Sequence, residues 1–185
     1  MNLAGRIAAR LGSALAALAI VGCAAVPQAA GPGVGTTTLS GRLAVRVDGI
    51  DGGAARSLNA AFELEGDSRA GRLSLSTPLG SVLAQARWAP GSVVLATPQG
   101  ETSFSDLDAL TREMLGESLP VAALFDWLRG RPWPGATSTA SAVPAEPGFE
   151  QLGWAVSLAR FDEAWVAARR ERTPVVTVRA KLDKP

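Results

Sequence analysis

The chain of 185 residues contains no histidine and a single cysteine, Cys23. Without histidine, the usual nucleophile–base dyads and triads have no base, and most metal sites lose a common ligand. A lone cysteine forbids an internal disulfide. Only 19% of residues are charged and the formal charge is +1, so there is no broad basic field to attract nucleic acid. The apolar run from Leu11 to Val21 falls well short of the roughly 20 residues that a membrane-spanning helix needs. No internal repeat is visible. The glycine-rich pieces Gly31-Pro32-Gly33 and Gly52-Gly53 lack phosphate-loop spacing and read as turns. What the chain does have is 20 Gly and 12 Pro, a turn-rich composition that suits an all-β protein.

The N-terminus has the layout of an export signal. Arg6 and Arg10 precede the Leu11–Val21 apolar core, and no acid lies among them. The core ends in Ile20-Val21-Gly22-Cys23, which resembles the lipobox of bacterial lipoproteins, where the signal is cut before an acylated cysteine. The competing reading is a plain signal cleaved near a buried Cys23. Cleavage before Cys23 takes two of the 18 basic residues and none of the 17 acidic ones, turning the charge from +1 to −1. Attachment to a membrane then rests on acyl chains rather than on a polybasic patch. Ala24 follows the cysteine, and in Gram-negative lipoproteins a non-aspartate there implies export to the outer membrane. The expected organisation is a lipoprotein signal over 1–22, an acylated Gly/Pro/Ala-rich tether over 23–38, and one β-domain over 39–185.

From Leu39 the pattern has period two. Leu39, Gly41, Leu43, Val45 and Val47 share one face, and after a Gly/Asp turn Leu58, Ala60, Phe62 and Leu64 do the same. Leu73 and Leu75 follow, then a return through Val82, Ala84, Ala86 and Trp88, then strands over Val93–Thr97 and up to Phe104. Consecutive hairpins that all show one apolar face curl around a core or into a barrel. Between Leu75 and Val82, Thr77-Pro78-Leu79-Gly80 fits a type I turn, with proline pre-set at its second position. Leu79 then sits at the tip, where it either folds back onto its hairpin or is offered to something apolar.

Helical spacing takes over at Ser105. Ser105 reads as an N-cap with Asp108 three places on, Leu107, Leu110, Met114 and Leu115 recur on one face, and Gly116 ends the run. A second short helix starts at Pro120 and carries Val121, Leu124, Phe125, Trp127 and Leu128 towards Gly130. Both are too short to stand alone and must dock on the sheet. Pro132 to Pro147 reads as a surface loop, and strands resume at Trp154. For Glu163 to Arg172 the Ala and Arg content favours helix, whereas Thr173-Pro174 followed by Val175–Leu182 favours a hairpin arm. A strand is expected there.

Acid pairs such as Asp106/Asp108, Glu113/Glu117 and Asp162/Glu163 fall on helix surfaces or turns, where solvated charge explains them. No enzymatic activity, metal or cofactor is expected. Trp88, Trp127, Trp133 and Trp154 are either core residues with satisfied N–H groups or, for Trp127 and Trp154, the lining of an apolar cavity under a helical lid.

Five motifs in order resemble the LolB family of outer-membrane lipoprotein receptors. They are Gly41-Arg42-Leu43-Ala44-Val45, the strand opened by Phe62, the Leu73-x-Leu75-x-x-Pro78-Leu79-Gly80 hairpin, Leu119-Pro120 with Asp126-Trp127-Leu128-Arg129-Gly130-Arg131-Pro132, and Gly153-Trp154-x-Val156. The resemblance implies an unclosed antiparallel β-barrel, a half-barrel with short helices as a lid over an apolar cavity. It implies a monomer on the periplasmic face of the outer membrane, anchored by acylated Cys23. Its partners would be the carrier LolA, acylated lipoprotein substrates and outer-membrane lipid. Leu79 would be the residue for membrane insertion, and Phe62, Leu64, Leu73, Leu75, Trp127 and Trp154 the acyl-chain cavity. Leu64 stands where the family has tryptophan, no aromatic lies near the C-terminus, and the tether lacks the expected amphipathic helix. The alternative is a structural or adaptor lipoprotein of the outer membrane with a filled β core.

Overall fold

The computed structural model describes residues 38–50, 53–141 and 146–183. The signal, Cys23 and all of the tether but its last residue lie outside these. Six strands come first: β1 (Leu39–Val47), β2 (Arg56–Gly66), β3 (Gly71–Ser76), β4 (Val82–Ala89), β5 (Ser92–Thr97) and β6 (Gly100–Phe104). Two helices follow, α1 (Leu107–Leu115) and α2 (Val121–Trp127). Then come β7 (Ser138–Ala140), β8 (Gly148–Gln151), β9 (Trp154–Ser157), β10 (Trp165–Arg170) and β11 (Val176–Leu182).

All eleven strands form one antiparallel sheet in the order β6-β5-β4-β3-β2-β1-β11-β10-β9-β8-β7. Every step except β1–β11 joins strands that are consecutive in the chain. That one long-range pairing, Val47↔Val176 through Gly41↔Leu182, unites the two meanders. The edges β6 and β7 are not paired with each other, so the sheet stays open. The segment carrying α1 and α2 connects those two edges. Period-two alternation then does its ordinary work: Val45, Val47, Ala60, Phe62, Leu64, Ala84, Ala86 and Trp88 are buried, while Arg42, Arg46, Glu63 and Arg87 face out. Among the described residues no helix is long and apolar enough to cross a membrane.

Three details differ from expectation. The N-cap of α1 is Asp106, not Ser105. Its carboxylate accepts the Ala109 N–H at 2.7 Å, and the Ser105 hydroxyl donates to it at 2.9 Å. These bonds, the backbone one foremost, hold the Asp106 carboxyl below its ordinary pKa. The expected loop over Pro132–Pro147 contains strand β7, paired as Thr139↔Glu150. Its three residues are all exposed, so this edge strand has no buried face to impose an alternating pattern. The return strand is also offset. Leu75 pairs with Ala84 but Ser76 with Val82, a bulge that leaves Leu83 extra and turns Val82 outward at 58% exposure. The ambiguous stretch after Glu163 is indeed a strand, β10, with Val166, Ala168 and Arg170 pointing inward.

Arg170 explains that ambiguity: an inward charge breaks the apolar pattern. Its guanidinium lies over the Trp154 ring, 5.5 Å from the centroid, and donates to Glu117 at 2.7 Å, in the link between α1 and α2. The Arg170 side chain is only 5% exposed, and that carboxylate compensates for the water it gives up. Glu117→Gln is expected to destabilise the fold by about 1–3 kcal/mol, less than a deeply buried pair because Glu117 reaches solvent. Chemical denaturation measures this. A loss within a few tenths of a kcal/mol would show that the pair does not tie the helices to β10.

Candidate acyl-chain site

Two helices packed against one wall of a curled sheet leave a cavity of about 540 Å³ between them, within the range of sites that take one small ligand. Strands β1 to β5 and β11 supply the wall. Leu110 and Leu115 of α1, Leu119 between the helices, Val121 and Leu124 of α2, and Leu128 at its C-cap supply the cover. On α2 the spacing of Val121, Leu124 and Leu128 keeps one stripe on the cavity. Ala123 and Trp127, four apart, are buried elsewhere, and Phe125 packs edge-on to Trp88 at 5.6 Å. The lining is almost wholly apolar. Its polar members are Arg56, Ser57 and Thr111. The Thr111 hydroxyl is spent on the chain: it donates to the Leu107 or Asp108 carbonyl and accepts the Leu119 N–H at 3.0 Å.

Phe62 and Leu64 of β2 and Leu73 and Leu75 of β3 all line this cavity. Trp127 and Trp154 do not, which corrects the expectation that they would. They sit in a separate packed cluster, ring centroids 6.1 Å apart, with Phe149 edge-on to Trp127 at 6.4 Å. The reason is polar. A buried indole needs an acceptor, and Trp127 Nε1 donates to Gln151 Oε1 at 2.8 Å on β8, away from the greasy side. Trp88 is likewise a core residue with a satisfied N–H, donating to the Asp67 carbonyl at 3.0 Å.

Gln151 was not a candidate on sequence grounds, yet it organises this half of the molecule. It is 2% exposed. Its oxygen accepts from Trp127 and from the Trp133 N–H at 2.9 Å, and its nitrogen donates to the carbonyls of Trp133 at 2.7 Å and Ala136 at 2.8 Å. A polar residue at an inward position of the four-residue β8 was the available signal.

The β3–β4 hairpin ends in a closed turn. Gly80 N–H donates to the Thr77 carbonyl at 2.9 Å, Thr77 N–H to the Ser81 carbonyl at 2.8 Å, and Ser81 N–H to the Thr77 hydroxyl at 3.2 Å. Gly80 has φ +88°, a conformation that glycine adopts without strain. This turn holds Leu79 away from the protein at 96% exposure. Of the two alternatives for Leu79, the structure has the projecting one. Leu83, made extra by the bulge, is 38% exposed and also lines the cavity, as does Met114 at 49%. The hairpin thus has an exposed apolar tip and, in Leu83, a partly exposed apolar residue in the cavity lining.

Comparison with known proteins gives the same direction. The family model described as "Outer membrane lipoprotein LolB" matches residues 36–178. The outer-membrane lipoprotein LolB of Bordetella petrii is 34% identical over 98% of this chain and 95% of its own length. That of Bordetella pertussis is 35% identical over 90% and 87%, and that of Cupriavidus pinatubonensis 33% identical over 80% and 74%. An open eleven-stranded antiparallel sheet with two covering helices, matched across nearly its whole length at this level of identity, belongs to the LolB family.

Proposed function

We propose that this chain is an outer-membrane lipoprotein acting in lipoprotein localisation. It takes acylated lipoproteins from the periplasmic carrier LolA, houses acyl chain in the cavity under α1 and α2, and releases it into the inner leaflet of the outer membrane. Acylated Cys23 anchors it there, 23–38 serves as tether, and 39–185 handles the lipid. The reading rests chiefly on one observation: an apolar cavity of about 540 Å³ beside a hydrogen-bonded hairpin whose tip is a bare leucine.

The chemistry is transfer by partition and breaks no covalent bond. An apolar wall holds a chain by unspecific burial, at about 0.8 kcal/mol per methylene. The cavity must hold the chain less tightly than a bilayer does, so that a chain leaving it beside lipid stays there. Leu79 places the mouth at the membrane without immobilising the protein, since one leucine contributes only about 1.5–3 kcal/mol.

Ala86, buried on β4 and part of the wall, tests the cavity directly. Ala86→Phe fills space while leaving the strand register alone. With lipoprotein presented as its carrier complex, handover to the full acylated chain is expected to fall about tenfold, a loss of a little over 1 kcal/mol of chain burial. The melting temperature should move by only a few degrees. Unimpaired handover by a folded Ala86→Phe protein would remove the cavity from the mechanism.

A further inference from the structure

The cavity carries one charge. Arg56, the first residue of β2, lines the apolar mouth beside Ser57 and Met114. Its guanidinium lies against Gly116 at the end of α1, so close that a Cβ there would meet Nη1 at 2.8 Å. Glycine at this position allows the left-handed φ of +80° that closes the helix, and the guanidinium lies over its open side. The Arg56 side chain makes no hydrogen bond or ion pair among the described residues. The nearby acid Glu117 is taken by Arg170. A cation at the rim of a greasy cavity, with five donors in a fixed fork and no carboxylate paired to it among the described residues, matches one kind of ligand. That ligand is an acyl chain ending in an anion.

We propose that the cavity also binds single-chain anionic amphiphiles, with the chain against Phe62 and Leu75 and the carboxylate or phosphate on Arg56. This rests on the reading of the cavity as an acyl-chain site, and it adds a ligand class that a lipoprotein's ester- and amide-linked chains do not represent. Fatty-acid carboxylates and lysophospholipid phosphates share the required chemistry. Either would compete with lipoprotein for the same space, so the occupancy of the acceptor would respond to breakdown products of the surrounding membrane.

The test uses the full acylated chain in phosphatidylcholine vesicles and three probes with a photoactivatable group on the same chain: palmitate, palmitoyl lysophosphatidic acid, and the uncharged monopalmitoyl glycerol. Crosslinks within the cavity are followed against probe concentration, under conditions where the carboxylate is ionised. At least one anionic probe is expected to half-saturate at about tenfold lower concentration than the neutral one, the size of one exposed charge-assisted contact. Arg56→Gln should abolish that advantage and leave the neutral probe unchanged, while Arg56→Lys should retain part of it. Preference for palmitate alone identifies the carboxylate as the ligand, and for the lysophosphatidic acid alone the phosphate. Equal half-saturation by all three probes, or an anion advantage that survives Arg56→Gln, overturns the proposal while the acyl-chain site stands. Absence of cavity crosslinks from any probe overturns both.

Discussion

Replacing Leu79 with glutamate is expected to leave a folded protein that accepts lipoprotein normally and fails to pass it to liposomes. The side chain is 96% exposed, and the hydrogen bonds of its turn belong to Thr77, Gly80 and Ser81. Nothing in the packing registers the change. At the membrane it removes about 1.5–3 kcal/mol of leucine burial, which alone corresponds to a ten- to hundredfold slower step. The carboxylate adds the cost of bringing a charge into contact with acyl chains. Leu79→Ala should fall between the two, and Leu79→Phe should retain transfer, because the requirement is apolar area rather than shape. Three measurements separate the effects: melting temperature, handover from the carrier, and appearance of the lipoprotein in liposomes. Delivery by Leu79→Glu at the wild-type rate would strip Leu79 of its role.

The hairpin that carries this residue was legible because its signals are local. Pro78 pre-sets the turn, Gly80 supplies the left-handed position, and Leu73 and Leu75 alternate up to it. The strands β1 and β2 were legible for the same reason, since one wet and one buried face leave a period-two trace. Val82 and Leu83 were not. Their orientation depends on a bulge opposite Ser76, and a one-residue offset inverts which side chains face the core. The wall residues Phe62, Leu64, Leu73 and Leu75 could be placed on the apolar side. Which apolar residues border space and which border one another is decided by the helices, whose docking no local pattern describes. Trp127 fell on the wrong side of that division because a size-and-hydrophobicity argument ignores the indole N–H, and Trp154 packs with it there. Arg56 was overlooked for a related reason. At the start of a strand it reads as one more solvated charge, and only the neighbouring Gly116 and the greasy cavity mouth give it meaning.

The second large effect is expected from Gln151→Leu, a change of nearly equal volume. The amide uses all four of its hydrogen-bonding positions, two accepting and two donating, and through them β8 is tied to α2 and to the Trp133–Ala136 stretch. Leucine leaves the Trp127 N–H unpartnered in a site where that indole is fully buried, and frees three backbone groups around Trp133 and Ala136 that are only half-buried. An orphaned buried group costs about 1–3 kcal/mol and the half-buried ones recover part of theirs from water, so the total loss is about 3–5 kcal/mol. Against the 5–15 kcal/mol of a typical domain, that lowers the melting temperature by roughly 10 °C or more. Trp127→Phe removes the orphaned N–H, so the double variant should be less destabilised than the sum of the two single changes. Because α2 also covers the cavity through Val121, Leu124 and Leu128, acceptance of lipoprotein should fail on heating well before it does in the parent chain. A Gln151→Leu protein that melts within a couple of degrees of the parent, with the two changes simply additive, would mean that the helix is held to the sheet by apolar packing alone.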